Sequence, residues 1–141
     1  MSITSAAQEV INEINSVDER DRLELLVEYS NSLPDLPARY SDHPDLLERV
    51  EECQSPVFLF VEIHNDLVSV FLTAPKEAPT TRAFASILHA SLDGHSVDEI
   101  LDFDNEFPEK LGLTSLVSPL RMRGIRGMLA RIKRQVQEKS A

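Results

Sequence analysis

Cys53 is the one cysteine in a chain of 141 residues, and its surroundings make it the strongest candidate for chemistry. Two acidic residues precede it, Gln54 and Ser55 follow it, and Pro56 leads into a run of aromatic and β-branched residues. This pattern predicts a thiol at a tight turn that enters a hydrophobic strand. Because a thiolate is a nucleophile, nucleophilic attack is the chemistry that this turn offers.

The charges beside Cys53 indicate a thiol that is dormant on its own. A reference pKa of about 8.5 leaves few cysteines ionised at neutral pH, and Glu51 and Glu52 disfavour ionisation further. An autonomous catalytic cysteine needs a nearby cation or base, and the local sequence supplies neither. We therefore expect a thiol that another protein activates. The simpler interpretation of an isolated cysteine is a small buried hydrophobic residue.

Groups that could hold a metal ion are scattered along the sequence. One cysteine cannot form an intramolecular disulfide, and it cannot supply a cysteine-based zinc or iron–sulfur site by itself. The four histidines lie in different segments without metal-ligand spacing: His43, His64, His89 and His95. We predict no metal site.

The charge of the chain is acidic overall and unevenly distributed. A formal net charge of −10 repels phosphate backbones and argues against nucleic acid as a partner. Seven of the fourteen Lys and Arg residues nevertheless lie between Arg121 and Lys139, whereas most acidic residues precede residue 67. This asymmetry predicts a basic helix that lies against an acidic body or faces away from it. Facing away, it is a solvated face or a docking surface for an acidic protein.

The hydropathy pattern gives no sign of a membrane segment. No apolar run approaches the ~20 residues that span a bilayer. The N-terminus lacks the basic and apolar regions of a secretion signal. We therefore expect a cytoplasmic protein with no membrane partner.

Two helices are predicted before the cysteine turn. The first covers residues 4–15, with Ser5 and Gln8 spaced as a capping box. The second begins at Asp18, whose carboxylate can cap it, and ends before Pro34. Its predicted apolar stripe consists of Leu23, Leu25, Leu26, Val27 and Tyr29. Residues 34–47 are predicted to form an irregular loop that can include one short turn of helix.

A β-hairpin is predicted directly after the cysteine turn. Its strands cover residues 57–64 and 67–73, and Asn65-Asp66 joins them, a pair that tolerates positive φ. The first strand is apolar on both faces for most of its length, which indicates a central position in the sheet. Residues 48–52 are predicted to pair with it as a short edge strand. The alternative is a helix over 45–52.

Helices fill the remainder of the chain. One runs over 80–92, capped by a threonine and closed by Asp93-Gly94. Ser96 and Glu99 form a capping box for a short helix, and a further turn of helix is predicted over 107–111.

The last helix is predicted to open at Ser118-Pro119, because proline at the first helical position needs no hydrogen-bond donor. Its predicted buried side consists of Leu120, Ile125, Met128, Leu129, Ile132 and Val136. Helices before and after a small antiparallel sheet predict one α+β domain over residues 1–141.

Several segments of the chain resemble the SufE family of sulfur acceptors. They occur in the family's order and approximate spacing from about residue 20 to the last helix: Cys53-Gln54-Ser55, Leu33-Pro34, Phe103-Asp104, and Ser118-Pro119-Leu120-Arg121 with Gly124. The stretch 78–82 resembles an actinobacterial version of the family. The collinearity of these segments, more than any one of them, makes the resemblance specific.

The resemblance implies a fold and a function. The implied fold is α+β and SufE/NifU-like, with a small antiparallel sheet of about three strands packed against helices and the cysteine on a loop. The implied function is accessory rather than enzymatic. Such proteins accept sulfane sulfur as a persulfide from a SufS-type, pyridoxal-phosphate-dependent cysteine desulfurase and stimulate that enzyme. They pass the sulfur to an iron–sulfur scaffold protein, and the pyridoxal phosphate belongs to the partner.

The resemblance also assigns site residues. The acceptor cysteine of the family corresponds to Cys53, and its hydrogen-bonding neighbours correspond to Gln54 and Ser55. Arg121 corresponds to an arginine near the start of the last helix. Arg82 is expected to support partner binding, although other members often have Lys-Gly where this chain has Arg82-Ala83.

One departure from the family pattern concerns the turn itself. Many members have glycine immediately before the cysteine, where this chain has Glu52. A positive φ is costly for glutamate, so the loop geometry is expected to differ there. Two other function classes stay open beside the sulfur acceptor. One is a thiol enzyme of the peroxidase or hydrolase type, and the other is a structural adaptor whose cysteine is incidental.

Overall fold

A β-hairpin forms the middle of the molecule. In the computed structural model, which describes residues 1–141, β2 (Phe58–His64) pairs antiparallel with β3 (Leu67–Thr73) along their whole lengths. Asn65 and Asp66 make the connection with φ angles of 52° and 67°. Short polar side chains tolerate this left-handed conformation, so the predicted hairpin and its turn are confirmed.

A two-residue edge strand completes the sheet. β1 (Glu48–Arg49) pairs antiparallel with β2, which is therefore central, as predicted. The predicted edge strand is thus confirmed over two of its five residues. The chain before it carries α3 (Ala38–Ser41) and a 3₁₀ turn (Pro44–Leu46) rather than the alternative helix over 45–52.

The N-terminal helix starts with a different cap from the predicted one. α1 (Ser5–Asn15) is capped by Thr4, whose hydroxyl accepts a hydrogen bond from the Ala7 N–H at 3.0 Å. The predicted capping box of Ser5 and Gln8 is therefore wrong by one residue. Thr4 also donates its hydroxyl proton to the Ser91 carbonyl at 2.7 Å, which ties the start of α1 to the core.

The second helix buries a narrower stripe than its sequence predicts. α2 (Glu19–Asn31) packs mainly on α4 and buries Leu26 and Ser30. Leu23 and Val27 remain 47% and 51% exposed, so the predicted stripe is wrong at those two positions. Asp18 precedes the helix, but its side chain forms no capping hydrogen bond.

The central helix α4 (Pro79–Leu92) contacts α1, α2, β3 and α7 and is buried around most of its circumference. It begins with proline after Ala78, and no side chain caps it, so the predicted threonine cap is wrong. Gly94 follows it with a φ of 82°, a left-handed conformation that favours glycine.

The remaining helices follow the sequence predictions closely. α5 (Val97–Leu101) has the predicted Ser96–Glu99 capping box, with both of its hydrogen bonds present. α6 (Phe107–Lys110) is the short turn predicted near there. α7 (Pro119–Ser140) starts at Ser118, whose hydroxyl accepts from the Arg121 N–H.

Helix α7 crosses β2 and also packs against α4 and α5. Its buried side contains five of the six predicted apolar residues: Ile125, Met128, Leu129, Ile132 and Val136. Leu120 is exposed instead, because it lies in the first turn at the rim of a cavity. The fold class is α+β with a three-stranded antiparallel sheet, as predicted. None of the helices combines the length and the apolar character needed to cross a bilayer.

Candidate functional site

Cys53 lies in a tight turn between the edge strand and the central strand. The Val50 N–H donates to the Val57 carbonyl at 2.8 Å, which extends the β1–β2 pairing by one step. The Cys53 N–H then donates to the Val50 carbonyl at 3.1 Å and closes a four-residue turn. The loop of residues 51–56, here called the cysteine loop, is therefore the connection from β1 to β2. This is the bend that the sequence predicts.

Two glycines of α7 allow the helix to approach the cysteine loop closely. A Cβ atom added to Gly124 would lie 3.0 Å from the Cys53 Sγ. One added to Gly127 would lie 2.7 Å from the side chain of Glu52. Cys53 is consequently only 7% exposed and belongs to the hydrophobic core. Gly124 was part of the family resemblance, whereas the role of Gly127 follows from the structure alone.

A cavity of about 340 Å³ lies beside Cys53. Its walls bring together four of the five predicted site residues, namely Cys53, Gln54, Ser55 and Arg121. The start of α4 and the first turns of α7 supply the rest of the lining. The buried thiol therefore has open space next to it, unlike a cysteine that merely fills a core.

Arg82 lies outside this cavity. Its guanidinium donates from Nε to the Ser30 carbonyl at 2.9 Å and from Nη1 to the Ala74 carbonyl at 2.6 Å. These bonds join the end of α2 and the exit of β3 to α4. The structure thus gives Arg82 a fold-supporting contact, and its part in partner binding stays a prediction.

The side chains of the two predicted polar neighbours of Cys53 are not held by hydrogen bonds. The side chains of Gln54 and Ser55 form no hydrogen bond within the chain, and Gln54 is exposed. The φ of Glu52 is not positive, so the replacement of the family's glycine causes no strain there. No group of three or more His, Cys, Asp or Glu side chains is placed to hold a metal ion.

The environment of Cys53 disfavours the thiolate. Burial raises the pKa of the Cys53 thiol to about 11, and the neighbouring Glu52 carboxylate acts in the same direction. Arg131 and Arg49 oppose the rise without cancelling it. The expectation of a dormant thiol is thus supported. The local sequence indicated no cation beside the thiol, whereas the fold brings Arg49 and Arg131 near enough to act on it. Arg131 is distant in sequence and could not be read from the residues around the turn.

An ion-pair network joins the cysteine loop, β1 and α7. Arg131 donates from Nε to Glu52 Oε1 at 2.8 Å and from Nη1 to Glu48 Oε2 at 2.7 Å. Arg134 also pairs with Glu48, and Gln135 donates to the same carboxylate at 2.8 Å. Burial is the largest single influence on the pKa of Glu52 and raises it, but the hydrogen bond and charge of Arg131, a backbone hydrogen bond and the charge of Arg123 together outweigh burial and lower the pKa.

The sequence carried a partial signal for this network. Gly124, Gly127 and Arg131 are spaced by three and four residues, which places them on one side of a helix. Glycines on the buried side of a helix indicate that another segment of backbone approaches there. An arginine on the same side then needs an acidic partner in that segment.

The basic residues of α7 mostly bind the protein itself. Arg126 pairs with Glu109, and Lys133 donates to the Phe103 carbonyl and to Asn105. The last of them, Lys139, donates to the Val61 carbonyl. The helix therefore lies against the acidic body, which was one of the two predicted arrangements. Arg121 and Arg123 are both exposed and form no salt bridge, so the candidate docking surface on α7 shrinks to these two residues.

Comparison with known proteins identifies a family for this arrangement. Residues 8–136 match SufE, described as an Fe-S metabolism associated domain. A SufE-like protein of Mycobacterium tuberculosis is 45% identical over 138 residues, which cover 97% of this chain and 95% of that protein. SufE-like protein 1, chloroplastic/mitochondrial, of Arabidopsis thaliana is 31% identical over 126 residues, which cover 86% of this chain and 32% of the plant protein.

A solved structure has the same fold. The solution structure of a hypothetical protein from Thermus thermophilus matches with a TM-score of 0.85 at 30% identity, and the match covers 99% of this chain and 98% of that one. The matched family segment includes the cysteine loop, the hairpin and nearly all of α7. The chain therefore belongs to the SufE family, whose domain is associated with iron–sulfur metabolism.

Proposed function

We propose that this chain is a cytoplasmic sulfur acceptor for iron–sulfur cluster assembly. It takes sulfane sulfur as a persulfide on Cys53 from a SufS-type cysteine desulfurase, stimulates that enzyme and passes the sulfur to an iron–sulfur scaffold protein. It acts as an accessory protein rather than as a turnover enzyme. It binds no cofactor of its own, since pyridoxal phosphate belongs to the desulfurase.

The observation that carries this proposal is the placement of Cys53 in a member of the SufE family. Its thiol lies at the wall of a cavity of about 340 Å³, and the one backbone hydrogen bond of the loop that bears it is the turn bond from Cys53 to Val50. Arg121 lines the same cavity without an ion-pair partner. A free guanidinium beside the thiol favours the approach of an anionic persulfide.

The transfer step is an exchange at sulfur. The Cys53 thiolate attacks the terminal sulfur of the donor persulfide, an S–S bond to Cys53 forms, and the S–S bond of the donor breaks. The donor cysteine leaves as a thiolate and takes up the proton that Cys53 has lost. The sulfane sulfur keeps its oxidation state, so the step needs no external oxidant or reductant.

The raised pKa of the thiol explains the need for a partner. With a pKa of about 11, roughly one Cys53 in ten thousand is ionised at pH 7. Docking that moves Cys53 out of its buried position removes the main cause of this rise, which is burial. The acceptor is therefore silent when free and reactive when bound.

The direct test is mass spectrometry of the protein after incubation with a cysteine desulfurase and cysteine. We expect the chain to gain the mass of one or more sulfur atoms, and the gain to disappear on reduction and in Cys53→Ser. Turnover of the desulfurase should rise with the wild-type chain. An unchanged mass together with unchanged turnover would overturn the proposal.

Two rivals predict different outcomes. A peroxidase or hydrolase should turn over a small substrate in isolation, and it should have a Cys53 pKa well below the usual range. A structural adaptor should stimulate the desulfurase fully as Cys53→Ala. The raised pKa of the buried thiol supports the acceptor over the autonomous enzyme.

A further inference from the structure

The cysteine loop has few attachments to the rest of the protein. Its one backbone hydrogen bond is the turn bond from Cys53 to Val50 within its own connection. Of the side chains of residues 51–56, Glu52 alone forms a hydrogen bond to α7, and it does so through Arg131. What holds the loop against the helix is therefore packing on two glycines and one ion pair.

That ion pair is placed to have mechanical effect. Arg131 of α7 contacts Glu52 on the cysteine loop and Glu48 on β1. One guanidinium therefore links the helix to both the loop and the edge strand. The Arg131 and Glu52 side chains are 23% and 27% exposed. A partly desolvated pair of this kind is screened less by solvent than a pair at the surface.

We propose that Arg131 is a positioning residue for Cys53 and that its ion pair with Glu52 is a latch that keeps the cysteine loop closed. When the pair is intact, the loop rests on α7 and the thiol is buried. When the pair separates, the loop moves away from the helix and the thiol becomes accessible. The proposal deepens the sulfur-acceptor proposal and rests on it only for the identity of the partner that benefits.

The latch and a purely electrostatic role of Arg131 predict opposite changes. The charged groups that face Cys53 are Glu52 in its own loop, Arg49 on β1 and Arg131 on α7, while Arg121 lines the adjacent cavity. If the loop stays closed, loss of the Arg131 charge removes a group that favours the thiolate, so the thiol reacts more slowly. If the loop opens, burial is relieved and the thiol reacts faster.

The test is the rate of alkylation of Cys53 by iodoacetamide in the whole protein without any partner. We expect Arg131→Gln to react about tenfold faster than wild type at pH 8, because the local opening equilibrium shifts by about 1.4 kcal/mol. Arg134→Gln is the matched control, since it removes the same charge from α7 but its partners are Glu48 and Glu138. Its rate should stay within about twofold of wild type.

A second variant covers the case in which Arg131→Gln does not fold. Glu52→Asp keeps the negative charge beside the thiol but shortens the side chain, so contact with Arg131 is lost. The latch predicts a rate several-fold above wild type, whereas electrostatics without opening predicts an unchanged or lower rate. In both variants the latch also predicts that the pH at which the rate levels off moves down from about 11 towards that of an exposed thiol.

The proposal is overturned if both variants alkylate at the wild-type rate or more slowly, with far-ultraviolet circular dichroism showing that they are folded. This result is independent of sulfur transfer. A latch without persulfide formation in the wild type would refute the acceptor function and leave the latch standing. Persulfide formation in the wild type with unchanged alkylation in the variants would refute the latch and leave the acceptor function standing.

Discussion

The two connections at the ends of β2 are built in different ways. At one end the hairpin turn is followed by seven residue pairs between β2 and β3, and the backbone fixes its register. At the other end the cysteine loop follows a β1–β2 ladder of two residue pairs and is held by side chains. Backbone ladders open cooperatively, whereas one side-chain contact can be exchanged for a contact with a partner. The reactive residue lies at the end that side chains hold.

The first way to test this difference is to compare the folded and unfolded thiol. Burial and Glu52 raise the pKa of Cys53 to about 11, well above the ~8.5 of an exposed thiol, so ionisation alone makes the folded thiol about 200-fold less reactive at pH 8. Because the thiolate is the reactive form, the alkylation rate of the folded chain should keep rising with pH until about 11. In urea it should level off near 9.

The measurement is the iodoacetamide rate from pH 7 to 11 with and without denaturant. Intact fold at each pH is checked by circular dichroism, since tyrosines and lysines also titrate in this range. If the folded chain shows a plateau near pH 9, the thiol is not shielded as the structure indicates.

The second prediction concerns a larger side chain placed where α7 approaches the cysteine loop closely. In Gly127→Ala the new Cβ would lie 2.7 Å from the side chain of Glu52, so the loop must shift. We expect alkylation of Cys53 to become roughly tenfold faster, while the gain in helix propensity of about 1 kcal/mol offsets part of the lost packing. The hairpin should be unaffected, as measured by exchange of the β2 and β3 amide hydrogens.

A substitution that causes a smaller clash tests the same packing between the cysteine loop and α7. Gly124→Ala brings a Cβ to 3.0 Å from the Cys53 Sγ, a contact that a small displacement relieves. Its effect on the rate should be smaller than that of Gly127→Ala. Gln137→Ala, on the exposed side of α7, should have no effect. Equal rates in all three variants would contradict the close packing between loop and helix.

The comparison of the two connections also separates what the sequence predicts from what it does not. The hairpin turn, the Ser96–Glu99 capping box and the start of α7 rest on residues within four positions of one another, and all three were predicted. Local chemistry decides such features. Thr4 and Ser5 show the limit, because two neighbouring hydroxyl residues can each cap a helix and tertiary contacts choose between them.

Features that depend on distant residues were missed. The Glu52–Arg131 pair joins residues 79 positions apart, and no local pattern specifies that contact. The exposure of Leu23 and Val27 has a similar origin, since only the placement of α4 decides which side of α2 is covered. The cysteine turn was predictable because strand and turn signals meet there. The cavity beside it was not, because its walls come from three separate segments.

The third prediction concerns the cavity side of the cysteine loop. Arg121 lines the cavity and forms no salt bridge. We expect Arg121→Ala to lower the rate of sulfur transfer from a desulfurase persulfide about three- to tenfold, because the anionic donor loses an attractive charge. Alkylation by uncharged iodoacetamide should change by less than about twofold, since the residue does not hold the loop.

Arg123→Ala is the matched control for this variant. Arg123 is equally exposed and equally free of salt bridges, but it does not line the cavity. If both variants slow the transfer equally, the effect comes from the overall charge of this surface. If neither does, Arg121 has no part in the transfer.

The smallest expected effect is a change in the free energy of unfolding caused by substitution in the hairpin turn. This change should leave the reactivity of Cys53 unaltered. Asp66 has a φ of 67°, so Asp66→Gly relieves a left-handed conformation and should raise the free energy of unfolding by about 0.5 kcal/mol. Asp42→Gly, at a φ of −85°, should instead lower it by a similar amount, because there glycine only adds freedom to the unfolded chain. Urea denaturation measures both changes in the free energy of unfolding.

Because the hairpin turn and the cysteine loop lie at opposite ends of β2, the alkylation rate of Cys53 should be the same in both variants and wild type. A change in rate with Asp66→Gly would mean that the sheet transmits strain from one connection to the other, and that the cysteine loop does not open as an independent unit.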